Sequence, residues 1–141
     1  MSEFSITCAD FDEGEEIPKK FGYKFENQAP NISFNRPTPN TVTLALIMDD
    51  PDAMGAVGKV WVHWLQYHNL NLSSPIEGKT DFGEIGYGGP APPDKRHTYI
   101  FKVYALDTEL ELNVGYSKQE LQDAMKGHII AEAKLTGTFT P

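Results

Sequence analysis

Residues 41–53, Thr-Val-Thr-Leu-Ala-Leu-Ile-Met-Asp-Asp-Pro-Asp-Ala, constrain this chain more than any other stretch. An apolar run of strand type ends abruptly in Asp49, Asp50 and Asp52, with Pro51 set among them. Leucine, isoleucine and threonine in so short a run suit a strand buried on both faces, and the pattern predicts one over Thr41–Met48. Pro51 has no N–H for a sheet ladder and a fixed φ, so the strand stops there. Asp50 and Asp52 thereby stand at the mouth of something apolar, on a backbone with little freedom. In extended chain, residues two apart leave on one face. On spacing alone, the commoner role of such aspartates is to accept bonds from turn N–H groups.

Acidic groups in that position need partners, and the candidates lie downstream. His63, in Val60-Trp61-Val62-His63-Trp64, alternates with Trp61, Leu65 and Tyr67, which predicts one shared strand face. A lone histidine among aromatic residues is more often packed than liganding. A carboxylate on one ring nitrogen, however, raises the basicity of imidazole and fixes its tautomer, freeing the other nitrogen to donate to an oxyanion. His97 and Tyr99 are again two apart. Between the two histidines runs Gly86-Tyr87-Gly88-Gly89-Pro90-Ala91-Pro92-Pro93. Glycines allow backbone N–H groups close to a ligand and prolines stiffen the wall, so Gly88, Gly89, Pro90 and Pro93 are candidate anion-cradle residues. An ordinary tight connection uses the same residues. A phosphate-binding P-loop does not fit, because its lysine and following helix are missing.

These pieces, in this order, resemble the phosphatidylethanolamine-binding protein family, which includes the Raf kinase inhibitor protein, and most closely its short prokaryotic members. The resemblance rests on Asp50-Pro51-Asp52-Ala53, Trp61-Val62-His63-Trp64, Gly86 to Pro93, His97-Thr98-Tyr99 and Ala124-Met125-Lys126-Gly127-His128-Ile129. It implies a mostly β fold, a sandwich of two antiparallel sheets with a C-terminal helix and a pocket at one end. It also implies that Asp50, Asp52, His63, His97 and Tyr99 line a small anion pocket together with the Gly/Pro loop. Regulation of a kinase or inhibition of a serine protease is implied only as something family members do. The chain departs from the family at Met54, where proline is usual after Asp-Pro-Asp-Ala, often in a cis peptide. A non-proline cis bond costs about 2.5–4 kcal/mol, so Ala53–Met54 is expected trans.

The rest of the chain fits one domain over residues 1–141. Phe4, Ile6 and Cys8 alternate as a half-buried strand, and Ile32–Phe34 forms another within the proline-rich stretch 30–40. Strands are expected over Lys59–His68, Tyr99–Leu106 and Leu135–Phe139, with Gly55–Gly58 a flexible connection and 69–89 a long crossing. Ser117-Lys118-Gln119-Glu120 has the form of a capping box. It opens a helix whose apolar stripe reads Leu121, Ala124, Met125, His128, Ile129. His68 is expected on the face opposite His63.

The function classes narrow further. A net charge of −8 argues against nucleic acid or an anionic bilayer as a partner. No apolar stretch spans a membrane, no secretory signal opens the chain, and a lone cysteine, Cys8, fits a reducing cytoplasm. No nucleophile has a base beside it in sequence: Ser73 and Ser74 lie in a polar loop and Cys8 in the first strand. No short-spaced metal triad is present. The expectation is a non-enzymatic protein without cofactor or metal, binding a phosphate, phosphomonoester or phospholipid head group. The alternative is a phosphate-ester hydrolase built on the Asp/His cluster. The oligomeric state stays open, a homodimer included.

Overall fold

A computed structural model describes residues 4–34 and 39–141. The readings of the first three residues and of 35–38 in the proline-rich stretch lie outside the described residues. The elements in chain order are β1 (Ile6–Cys8), β2 (Ile32–Phe34), β3 (Thr43–Asp50), α1 (Ala53–Val57), β4 (Trp61–Asn69), β5 (Ile76–Glu77), β6 (His97–Leu106), α2 (Lys118–Met125) and β7 (Ile129–Phe139). β3 is the hub. All eight of its residues are buried, and antiparallel β4 and β6 flank it in a five-stranded sheet of order β5-β4-β3-β6-β7. β1 and β2 pair antiparallel as a second, two-stranded sheet.

Alternation along β3 divides the core in two. Leu44, Leu46 and Met48 join Tyr99, Phe101 and Val103 of β6 under Ile6, Cys8, Phe11, Ile17 and Phe21. Ala45 and Ile47 face the other way and pack with Leu65, Tyr67, Leu110, Tyr116, Leu121 and Met125. The architecture is the expected sandwich with a late helix. Among the described residues no helix is long and apolar enough to cross a membrane.

Several boundaries differ from the sequence reading, each for a local reason. β3 runs on through both aspartates and stops only at Pro51, where the ladder loses its donor. Residues 53–57 form a short helix rather than a loose connection, closed by Gly58 in the left-handed region at φ 80°. The Ala53–Met54 peptide is trans. At α2 the capping box is present, Ser117 Oγ accepting from the Glu120 N–H at 3.1 Å and Glu120 Oε1 from the Ser117 N–H at 3.0 Å. The helix ends at Met125, however, because Gly127 turns the chain at φ 83°. His128 and Ile129 therefore leave the stripe. The final strand starts at Ile129 instead of Leu135, and His128 sits exposed, its Nδ1 2.9 Å from Asp107 Oδ1.

Candidate functional site

The end of β3 divides its two aspartates between the faces of the sheet. Asp49 turns toward α2, where its Oδ2 accepts from Lys118 Nζ at 2.9 Å. Asp50 turns toward the Met48 side and accepts from His97 Nδ1 at 2.6 Å, both side chains almost sealed from solvent. His97 opens β6, and its Nε2 donates in turn to Asp94 Oδ1 at 2.7 Å. Burial by itself pulls the His97 imidazole down, but the Asp50 and Asp94 carboxylates outweigh it and hold the ring above its ordinary value. An imidazolium thus lies between a buried carboxylate and an exposed one.

Asp52 does something else. The chain after Pro51 turns into α1, with Asp52 at φ −72° and ψ −12°, so the one-face rule of extended chain ends there. Its exposed carboxylate accepts from the Thr98 N–H at 2.8 Å, fastening the β3–α1 turn to the start of β6. Only Asp50 of the two lines the cavity.

His63 reaches the site by a route that period-two alternation does not allow. Met48 pairs with Trp64 but Asp49 with Val62, so β4 carries a bulge at His63. The extra residue reverses alternation across that point. Leu65 and Tyr67 face the α2 side, while His63 meets Tyr99 edge-on at 5.1 Å between ring centroids and Phe82 at 5.3 Å. The expectation that His63 shares a face with Leu65 and Tyr67 is corrected. So is the placing of His68 opposite it, since even-numbered residues beyond the bulge take the His63 side. The partner of His63 is not a carboxylate either: its Nδ1 donates to the Gly88 carbonyl at 2.7 Å. Burial lowers its pKa, partly offset by that carbonyl and by Asp50. Burial thus favours the neutral ring, which with Nδ1 donating carries its lone pair on Nε2.

The Gly/Pro loop is packed rather than open. The Gly88 N–H donates to the His63 carbonyl at 2.8 Å, and the Gly89 N–H to Asn27 Oδ1 at 2.8 Å. A Cβ on Gly89 would lie 1.9 Å from the Phe21 carbonyl, and one on Gly88 2.5 Å from the Phe82 ring. These glycines exist for close approach to protein, and their N–H groups are taken. Pro90 lies outside the cavity, whereas Pro93 and Ala91 form part of its wall.

Asp50, His63, His97 and Pro93 thus surround a cavity of about 120 Å³, completed by Ala53, Ala56, Val57, Trp61, Phe82 and Ala91. Tyr99 lies behind the two histidine rings and is wholly buried. Burial and then the Asp50 charge push its phenol up, although no hydrogen bond of good geometry joins them. Four buried side-chain polar atoms are unpaired among the described residues, and three are here: Asp50 Oδ1, Trp61 Nε1 and the Tyr99 hydroxyl. Among the described residues no group of three His, Cys, Asp or Glu side chains is arranged to hold a metal. Sequence reasoning missed Phe82, Asp94 and the α1 residues as site components. Asp94 carried a weak signal, three residues before His97. Phe82 carried none, being fixed by its stack on Tyr23 at 3.9 Å between centroids.

The same arrangement of chain recurs in other proteins. A protein of the UPF0098 group from Chlamydia trachomatis is 39% identical over 95% of this chain and 97% of its own. One from Methanothermobacter thermautotrophicus is 38% identical over 92% of this chain and 93% of its own. Among solved structures, a phosphatidylethanolamine-binding protein homologue from Chlamydia trachomatis superposes with a TM-score of 0.88 at 36% identity, covering 98% of this chain and 97% of that one. YbcL of E. coli, a member of the mammalian family, gives 0.84 at 26% identity with 98% of each chain covered. The family model for phosphatidylethanolamine-binding proteins matches residues 7–140, nearly the whole sandwich and every element of the cavity, and the chain belongs to that family.

Proposed function

We propose that this chain is a non-enzymatic binding protein whose cavity holds a small oxyanion: a phosphate, a phosphomonoester or a phospholipid head group. The observation that carries the reading is the concentration of unmet hydrogen bonding at one place. An unpaired buried polar atom costs about 1–3 kcal/mol, and two of the four such atoms, Asp50 Oδ1 and Trp61 Nε1, belong to residues that line one concave, otherwise apolar cavity, while a third, the Tyr99 hydroxyl, lies behind it. Convergent polar groups in an apolar hollow are what a ligand site requires. Asp50, His63, His97 and Pro93 form its wall, Tyr99 backs it, and Asp52, Gly88, Gly89 and Pro90 hold the wall in place. The hydrolase alternative lacks support: no serine, threonine or cysteine lines the cavity among the described residues. Kinase or protease regulation, if this chain shares it, has a surface beside the mouth, where Met54 and Val57 of α1 are exposed.

Thermal unfolding with added phosphate tests the reading. Ligand at about a hundred times its Kd adds about 2.7 kcal/mol, so the melting temperature should rise by several degrees. His63→Ala should abolish the rise; because the ring is buried, the variant also starts from a lower melting temperature, and the readout is the shift that phosphate adds. No rise with phosphate or phosphoethanolamine, or sustained release of product from phosphomonoesters, would replace the proposal.

A further inference from the structure

The outer side of β7 is open over part of its length. β7 is an edge strand of the five-stranded sheet, paired with β6 alone. Toward its C-terminal end, residues 13–17 close that outer side. The Gly14 N–H donates to the Thr136 carbonyl at 2.8 Å, the Thr138 N–H to the Glu15 carbonyl at 2.9 Å, and the Ile17 N–H to the Thr138 carbonyl at 2.7 Å. Glu13 Oε1 accepts from the Thr136 N–H at 3.0 Å. The even-numbered residues here thus aim their main-chain groups away from β6. Next in that row come Lys134 and Glu132, both exposed, whose outward N–H and C=O groups have no partner among the described residues. Ile130 is the extra residue of a bulge, since Ala131 pairs with Ala105 but Ile129 with Leu106. The regular open edge is therefore 131–135. Lys134 also lies directly opposite Lys102 across the β6–β7 ladder, and Glu132 opposite Tyr104. Like charges set opposite each other are destabilising, and among the described residues neither of these lysines meets a carboxylate.

An open row of N–H and C=O groups is a template for another strand, and the side chains select which one. Antiparallel pairing of β7 with a second copy of itself, about a two-fold axis at Ala133, sets Glu132 opposite Lys134 of the other copy, and Lys134 opposite its Glu132. Each is a hydrogen-bonded pair that exchanges both N–H···O bonds, so the open groups at 132 and 134 are all used. An axis centred on residue 132 would set Glu132 against Glu132, and one centred on 134 would set Lys134 against Lys134. Charge therefore fixes the register. Ala133 puts no bulk on the axis. In the joined sheet the row Lys102, Lys134, Glu132, Tyr104 crosses the interface, and the second copy's carboxylate relieves the opposition of the two lysines. We infer that this chain forms a two-fold symmetric dimer in which β7 pairs with β7 over residues 131–135, joining two five-stranded sheets into one. A second copy is the partner that fits, because the charge pattern of this edge is complementary to itself under the two-fold axis.

Sedimentation equilibrium of the full chain, 15.7 kDa as a monomer, tests this. The salt is set at about 0.15 M, where a Debye length of about 8 Å confines the repulsion between two chains of net charge −8. So short a strand pair belongs to the weak, transient class of interface, and the concentration series runs to about 1 mM. A monomer–dimer equilibrium is expected within it. Glu132→Lys and Lys134→Glu, each alone, set like charges opposite each other at both pairs and should raise the dissociation constant at least about tenfold. Mixed in equal amounts, the two variants should associate as well as the parent, because every opposed pair is again of opposite sign. A merely destabilised fold would not be rescued by mixing. Hydrogen exchange of the parent chain needs no substitution: the Glu132 and Lys134 amides should slow as concentration rises, while those of Ala133 and Leu135, which face β6, should not change. A chain that stays monomeric to about 1 mM overturns the inference. So does a dimer that both single variants leave intact, one that mixing fails to restore, or one whose Glu132 and Lys134 amides exchange as fast as in the monomer.

Discussion

Replacing Gly89 by alanine separates two uses of a glycine-rich loop, cradling an anion and packing against protein. The added Cβ would lie 1.9 Å from the Phe21 carbonyl, 2.9 Å from the Tyr23 nitrogen and 3.0 Å from Asn27 Oδ1. Carbon atoms do not approach closer than 3.0 Å, so the backbone segments must part by 1.1 Å. Neither neighbour can swing away, since both nearest atoms are main chain. Overpacking of this kind costs about 1–3 kcal/mol. Parting the segments also strains the Gly89 N–H bond to Asn27 and the Tyr23 N–H bond to the Pro90 carbonyl, at 2.8 and 2.9 Å. A net hydrogen bond is worth about 0.5–1.5 kcal/mol, so with both bonds lost the total reaches about 2–6 kcal/mol, or roughly 10 °C or more in melting temperature. Gly55→Ala is the control. It stands in α1 with nothing within 4 Å of the added carbon, and should gain about 0.5–1 kcal/mol. Urea unfolding followed by circular dichroism reads both variants, with the m-value expected unchanged. A Gly89→Ala protein as stable as the parent, yet unable to bind phosphate, would refute the packing account and restore the cradle.

The two cavity histidines should titrate on opposite sides of the ordinary imidazole value in an NMR pH series, His97 above and His63 below. The consequences for stability follow opposite signs: the His97 contribution is complete below about pH 6.5 and fades as pH rises through its elevated folded value, whereas that of His63 is complete above 6.5 and fades as pH falls toward its depressed one; a common pKa for both rings would contradict the geometry. Asp52→Ala, which removes the acceptor for the Thr98 N–H, should cost about 1 kcal/mol and change phosphate affinity by no more than a few fold, and loss of binding at full stability would place Asp52 in the site after all.

Some of this was written plainly in the sequence. Pro51 marks the end of β3, and the Ser117/Glu120 capping box marks the start of α2. Both are local signals, decided by a residue's own backbone chemistry. The residues brought to the cavity were harder to read, because their placement depends on counting across strands. The face that His63 occupies hangs on one unpaired residue in the β3–β4 ladder, and no pattern within β4 announces it. Gly88 and Gly89 look alike in sequence whether they approach a ligand or a carbonyl. Only the positions of Phe82 against Gly88 and of Phe21, far away in the chain, against Gly89 decide. Gly127 was a readable stop signal for α2, and the apolar stripe running past it to Ile129 masked it.

Asp49 and Asp50 offer an internal comparison of what a carboxylate does at the end of this strand. Asp49 meets a lysine at a margin that water reaches, with 12% of its side chain exposed against 4% for Asp50. A sandwich does not need the Asp50 arrangement for its fold: burying an ion pair is often no better than burying apolar side chains of the same volume. What the pair adds is a connection. One imidazolium joins β3, through Asp50, to the loop that carries Pro93 and Asp94. When His97 loses its second proton, it can donate from only one nitrogen. Asp94 is exposed and water can replace the lost bond there, whereas Asp50 has no such substitute. The remaining proton therefore stays with Asp50, and the loop is released first. A cavity with its floor fixed by a buried carboxylate and its wall held by a titrating ring should loosen at the Pro93 side as pH rises, before any change reaches β3.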